Sequence, residues 1–98
     1  MNDVAEALER LRERFLARAA DDLADLRRRA SDPPDDLQGL HQIVHRLAGA
    51  AGTFGFHRLS DLAKSAEDAL VASASSRGVA LNALIVELEH VAPRDAHR

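Results

Sequence analysis

The chain has 98 residues, enough for one domain with a hydrophobic core but not for two. It has no cysteine, which excludes a disulfide framework and thiol chemistry. Its formal net charge of −3 argues against a nucleic-acid partner, and no apolar run approaches the ~20 residues of a membrane span. The N-terminal residues lack the basic and apolar regions of a signal peptide, so we expect a soluble cytoplasmic protein.

The composition predicts helices, because Ala, Leu and Arg dominate and strand-forming residues are few. The first helix is predicted over residues 3–30. The alanines and arginine at residues 17–20 leave undecided whether a bend splits it in two. Its apolar stripe consists of Val4, Leu8, Leu11, Phe15, Ala19, Leu23 and Leu26. Ser31-Asp32-Pro33-Pro34 predicts the first break, with Asp32 as the N-cap of the next helix and proline in its first turn.

The remaining helices are predicted over residues 33–54, 57–75 and 79–91, with a break over 73–78 and a frayed tail over 93–98. Gly55 occupies the position at which a left-handed residue ends a helix. The expected buried residues are Leu59, Leu62, Ala63, Ala66 and Leu70 in the third helix, and Leu81, Leu84, Ile85 and Leu88 in the fourth. Four helices with short loops predict a single all-α domain over residues 1–98, an antiparallel up-down-up-down four-helix bundle.

The second predicted helix carries the residues that bear on function. Its apolar stripe has steps of three and four: Leu37, Leu40, Val44, Leu47, Ala51 and Phe54. His45 follows the stripe residue Val44 by one position, which places it about 100° around the helix, toward solvent. On the same outer face we expect His41, Ala48, Gly49 and Gly52. A glycine inside a helix costs roughly 1 kcal/mol relative to alanine, so the two glycines need an explanation. They leave the face around His45 bare, which indicates that a large partner approaches it.

The pattern His-x-Leu-x-Gly at residues 45–49, followed by Gly-Thr-Phe-Gly-Phe at 52–56, resembles the histidine-containing phosphotransfer family. It is most similar to the phosphotransfer domain of chemotaxis histidine kinases, over residues 37–70. The resemblance implies that His45 is phosphorylated on a ring nitrogen and exchanges the phosphoryl group with receiver-domain aspartates. It implies that Gly49 gives the receiver access, and we expect Gly52 and Ala48 on the same face to do so as well. The family usually has lysine three residues after the histidine, where this chain has Ala48.

An antiparallel hairpin centred near position 56 would bring residues equidistant from that position level with each other. His45 and Glu67 are each eleven residues from position 56, so the carboxylate could accept the Nδ1 proton and leave Nε2 free as a nucleophile. The family resemblance also implies a glutamate at this spacing. The same arithmetic places Lys64 level with Ala48, where its ammonium could supply the missing cation. An exposed glutamate and a solvated lysine without a role are the alternatives.

Other candidates are weaker. His41, Arg46 and Arg58 are candidate phosphate or docking contacts for a receiver. For each arginine the alternative is a solvated surface residue. His41 and His45 have a spacing that can hold a metal on a helix, but nothing nearby supplies further ligands, so no metal site is predicted. No serine or cysteine nucleophile is placed for a hydrolase triad, and no Gly-Lys-Ser/Thr follows the glycines as in a phosphate-binding loop.

The predicted function is therefore that of a free-standing, monomeric phosphocarrier with no ATP site and no cofactor of its own. It would relay phosphoryl groups between a histidine kinase or its receiver and a downstream response-regulator receiver domain, which is expected to hold Mg²⁺. One alternative is a helical docking or inhibitory module for a kinase or receiver that is not itself phosphorylated. A metal-dependent bundle enzyme is a second alternative, which metal analysis of the purified protein would test.

Overall fold

A computed structural model describes residues 3–29, 36–72 and 74–92 of the chain. These residues form four helices: α1 is Asp3–Arg29, α2 is Leu37–Thr53, α3 is His57–Ala72 and α4 is Ala74–Val91. No β-strand occurs in the described ranges. Consecutive helices pack side by side, α2 against α3 most extensively. The predicted all-α four-helix bundle is confirmed.

The inner faces of the four helices form one core of leucines and alanines. Its largest fully buried side chains are Leu23, Leu26, Leu40, Val44, Leu47, Leu59, Leu84 and Leu88. Each such side chain contributes roughly 1.5–3 kcal/mol by leaving water. Buried alanines on the facing sides of α2 and α3, among them Ala51 and Ala63, allow these two helices to approach closely. The α2–α3 hairpin is therefore the most closely packed pair of helices in the bundle, and it can hold functional side chains in place.

The first helix is continuous, so it is not split at residues 17–20. Its predicted stripe is buried only from Phe15 onward; Val4, Leu8 and Leu11 are 71%, 55% and 44% exposed. The Phe15 ring packs against the rings of Phe54 and Phe56 at the closed end of the α2–α3 hairpin, with centroids 5.5 Å and 5.3 Å away. The turns before Phe15 extend beyond that end, because α1 has 27 residues and α2 has 17.

The second helix begins later than predicted, because Asp36 is its N-cap. The Asp36 carboxylate accepts a hydrogen bond from the backbone N–H of Gly39 at 2.9 Å. It also accepts one from the Arg29 guanidinium at 2.8 Å, which ties the end of α1 to the start of α2. The predicted cap Asp32 and the prolines after it lie outside the described residues. At the other end α2 stops at Thr53, and Gly55 has a φ of +83°, in the left-handed region as expected.

The predicted break over residues 73–78 is wrong over most of its length. The third helix ends at Ala72 and α4 begins at Ala74, so Gly78 lies inside α4. A helical glycine costs only about 1 kcal/mol, less than the burial of one of the leucines that anchor this helix in the core. Of the buried positions predicted in the last three helices, Leu62, Ile85 and Phe54 are only partly buried, and Leu37 is 40% exposed. The predicted tail over 93–98 lies outside the described residues.

The Asp36 cap makes stability depend on pH. The Gly39 N–H and the Arg29 guanidinium hold the pKa of Asp36 below its ordinary value of 3.8. Because the unfolded chain lacks this effect, the stabilisation is present above about pH 4 and is lost as the pH falls further. We expect Asp36→Ala to lower the thermal midpoint by a few degrees near neutral pH, and this difference from the wild type should shrink as the pH falls below 4. Melts followed by circular dichroism test this, with Asp61→Ala, at an exposed acid on α3, as the matched control.

Candidate functional site

His45 stands on the outer side of α2, one residue after the buried Val44. Its side chain is 72% exposed. One turn further along, Gly49 is exposed, and a β-carbon added there would have no contact within 4 Å beyond its own helix backbone and chain neighbours. Among the described residues, nothing therefore covers the face of α2 that carries His45 and Gly49.

The α3 helix places a carboxylate beside His45. The Nδ1 atom of His45 lies 2.6 Å from Oε2 of Glu67, whose side chain is 24% exposed. Glu67 reaches this position because it follows the buried Ala66 on α3, as His45 follows Val44 on α2. An ionised carboxylate accepts hydrogen bonds only, so this contact favours the tautomer with the proton on Nδ1. In that tautomer the Nε2 lone pair is free on the exposed side of the ring.

A second imidazole shares the same carboxylate oxygen. Nε2 of His41 lies 3.4 Å from Oε2 of Glu67. The rings of His41 and His45 are nearly parallel, with an interplanar angle of 9° and centroids 6.1 Å apart. The two histidines are one helical turn apart on α2, which puts both on the side that faces α3. Glu67 therefore lies at the centre of a cluster of three polar side chains.

Two residues predicted on the bare outer face lie instead between the helices. Ala48 is 4% exposed and belongs to the core. A β-carbon at Gly52 would lie 3.3 Å from Oγ of Ser60, so this glycine serves the close approach of α2 and α3. The Ser60 hydroxyl donates to the Ala48 carbonyl at 2.8 Å and fixes the contact. Of the three positions predicted to give a receiver access, only Gly49 is open.

The candidate cations have different surroundings. Arg46 donates to the Asp22 carboxylate on α1 at 2.9 Å, and Arg58 to Glu87 on α4 at 3.1 Å, so each arginine ties two helices together. Burial raises the pKa of Asp22 even though Arg46 opposes the shift. Lys64 is exposed on α3 and has no ion pair with any residue in the described part of the chain.

Two of these hydrogen-bonding residues, Asp22 and Ser60, were not predicted from the sequence. Asp22 directly precedes the stripe residue Leu23 and lies four residues after Arg18, with which it also forms a salt bridge of 3.8 Å. Nothing in that pattern indicated burial. Ser60 carried a usable signal: Gly52 and Ser60 are equidistant from position 56, the centre that also relates His45 to Glu67.

The part of the chain that the structure describes contains no group of three or more His, Cys, Asp or Glu side chains arranged to hold a metal ion. Within the same ranges, none of the helices has the length and apolar character needed to cross a membrane.

Comparison with protein-family models finds a match to the Hpt domain over residues 3–95. The matched range contains all four helices and every candidate site residue. Comparisons with curated proteins and with solved structures found no match.

Proposed function

We propose that this chain, which belongs to the Hpt domain family, accepts a phosphoryl group on His45 and exchanges it with a receiver-domain aspartate. Membership of this family implies a role in histidine phosphotransfer within two-component systems, with a histidine kinase and a response regulator as partners. The observation that supports His45 is its geometry: Nδ1 is bound to Glu67 at 2.6 Å while the ring is 72% exposed.

The proposed step uses the free lone pair of Nε2. It attacks the phosphorus of the receiver's aspartyl phosphate, an N–P bond forms, and the P–O bond breaks with its electron pair leaving on the aspartate carboxylate. The Nδ1 proton stays on the ring, which becomes positively charged as the new bond forms. The Glu67 carboxylate stabilises that charge because it is already in place beside Nδ1. The return of the phosphoryl group to an aspartate is the same step reversed.

Neutralising the phosphoryl oxygens needs cations. We assign most of this to the receiver, which is expected to hold Mg²⁺ beside its aspartate. Lys64 is the cation that this chain is proposed to add in place of the lysine absent at Ala48. What supports it is position: Lys64 is exposed on α3 and lies one turn before Glu67.

The proposal is tested by incubating the protein with a panel of receivers carrying labelled aspartyl phosphate. We expect label to pass from at least one receiver to the protein, in a linkage that is labile in acid and stable in base, as a phosphoramidate is. Binding of receivers without any transfer would favour the alternative of a docking module that is not phosphorylated.

Gly49 should separate stability from function. Its β-carbon site is empty and it lies within α2, so alanine or glutamine there should stabilise the fold, by up to ~1 kcal/mol for alanine. A glutamine one turn from His45 also stands where a receiver must approach. We therefore expect Gly49→Gln to melt at or above the wild-type temperature and to accept phosphoryl from a receiver about tenfold more slowly, a barrier increase of about 1.4 kcal/mol. Gly49→Ala should be intermediate.

Thermal melts and transfer rates on the same three proteins check this. Phosphoramidate needs no docking surface, so its rate of labelling His45 should be equal in all three. Transfer from a receiver to Gly49→Gln at the wild-type rate would show that the open face is not a docking site.

A further inference from the structure

We infer that His41 is a positioning residue that holds the Glu67 carboxylate against Nδ1 of His45. The inference rests on the proposed function, because it concerns the readiness of His45 to accept a phosphoryl group. Its basis is the single oxygen, Oε2 of Glu67, that lies 2.6 Å from His45 and 3.4 Å from His41.

The His41 ring is more buried than the His45 ring. Its side chain is 36% exposed, half the value of 72% for His45. It lines a surface groove between α2 and α3 together with Leu37, Leu70 and Val71. The two rings are nearly parallel, and each has one nitrogen within 3.4 Å of Oε2 of Glu67. The more buried histidine, His41, can therefore limit the movement of the Glu67 carboxylate.

A glutamate side chain has three rotatable bonds and loses that freedom when its carboxylate is fixed. One contact to a largely exposed imidazole leaves the carboxylate able to swing into water. A contact from His41 on the same oxygen opposes that movement. At 3.4 Å it is longer than the usual 2.7–3.2 Å of an N–H···O bond, so the restraint is weak and its effect should be modest.

The restraint matters through the tautomer of His45. When Glu67 swings away, Nδ1 loses its acceptor, and the form with the proton on Nε2 becomes more populated. In that form the lone pair of Nε2 belongs to the aromatic π system, so Nε2 cannot attack phosphorus. His41 would thus set the fraction of His45 that is ready to react, without touching the phosphoryl group.

The test is His41→Leu, with His41→Ala as a second variant should the first fail to fold. The tautomer of His45 is read from ring ¹⁵N chemical shifts of the unphosphorylated protein near pH 8.5, where imidazole is ordinarily neutral. We expect the Nε2-protonated form to increase and phosphoryl transfer to slow by about threefold. His41→Gln, whose amide can donate to the same oxygen, should restore most of both. Gln42→Leu, at the exposed neighbour of His41, is the matched control and should change neither.

A double-mutant cycle tests whether the effect passes through Glu67. In a Glu67→Ala background His41→Leu should have no further effect on transfer. An equal loss in both backgrounds, or an unchanged His45 tautomer in His41→Leu, would overturn the inference. Its failure is distinguishable from that of the proposed function, because the tautomer is measured without phosphorylation, whereas a wild type that no receiver labels overturns the function alone.

Discussion

Replacing His45 with glutamine is expected to abolish phosphorylation, whereas the same replacement at His41 leaves the protein phosphorylated. Both are histidines on the same side of α2, but they differ in what their Nε2 atoms face. Nε2 of His41 lies 3.4 Å from the Glu67 carboxylate, while His45 uses Nδ1 for that contact and is 72% exposed. Only His45 therefore presents a ring nitrogen to an incoming phosphoryl group beside the open Gly49 position.

The measurement is transfer of label from a phosphorylated receiver to the wild type and to each glutamine variant. Melting curves of all three proteins establish that each variant is folded. If folded His41→Gln also takes up no label, the assignment of phosphorylation to a single histidine is wrong. Label retained by folded His45→Gln would move the site to another residue.

Removing the carboxylate of Glu67 should slow phosphorylation by about one to two orders of magnitude. A charge-assisted hydrogen bond is worth roughly 1.5–3 kcal/mol, and each 1.4 kcal/mol is about a tenfold change in rate. The full effect is expected only if the carboxylate stabilises the positive charge that develops on the ring. Glu67→Gln keeps an acceptor but loses the charge, so its rate should fall between those of the wild type and Glu67→Ala.

Single-turnover transfer from a phosphorylated receiver measures these rates. Asp68→Ala is the matched control, because it removes the exposed carboxylate next in sequence to Glu67 and should leave the rate unchanged. A wild-type rate in Glu67→Ala would reduce Glu67 to a surface acid without a role in the reaction.

Local patterns in the sequence determined the helices and the register of the hairpin. The repeat of apolar residues at steps of three and four identified four helices, and Gly55 marked the end of the second one, because its left-handed backbone is a local property. A short turn between antiparallel helices relates residues by their distance from its centre. That arithmetic alone placed Glu67 level with His45, and the structure brings the two side chains together.

The tertiary structure decided which neighbour covers each face. Periodicity cannot tell a face that meets another helix from one that meets water, so Ala48 and Gly52 were expected in the open and lie against α3. Nor does it show where a neighbouring helix ends: Val4 and Leu8 continue the apolar stripe of α1 but extend past the end of the α2–α3 hairpin and are exposed.

Caps and ion pairs depended on distant partners in the same way. Asp32 and Asp36 both have the chemistry of an N-cap, and in the structure Asp36 caps α2 while also meeting Arg29 from the preceding helix. The shared use of Glu67 by His45 and His41 was likewise decided in three dimensions. Helical spacing placed the two histidines one turn apart, but only the packing of α3 against α2 put one carboxylate oxygen within reach of both rings.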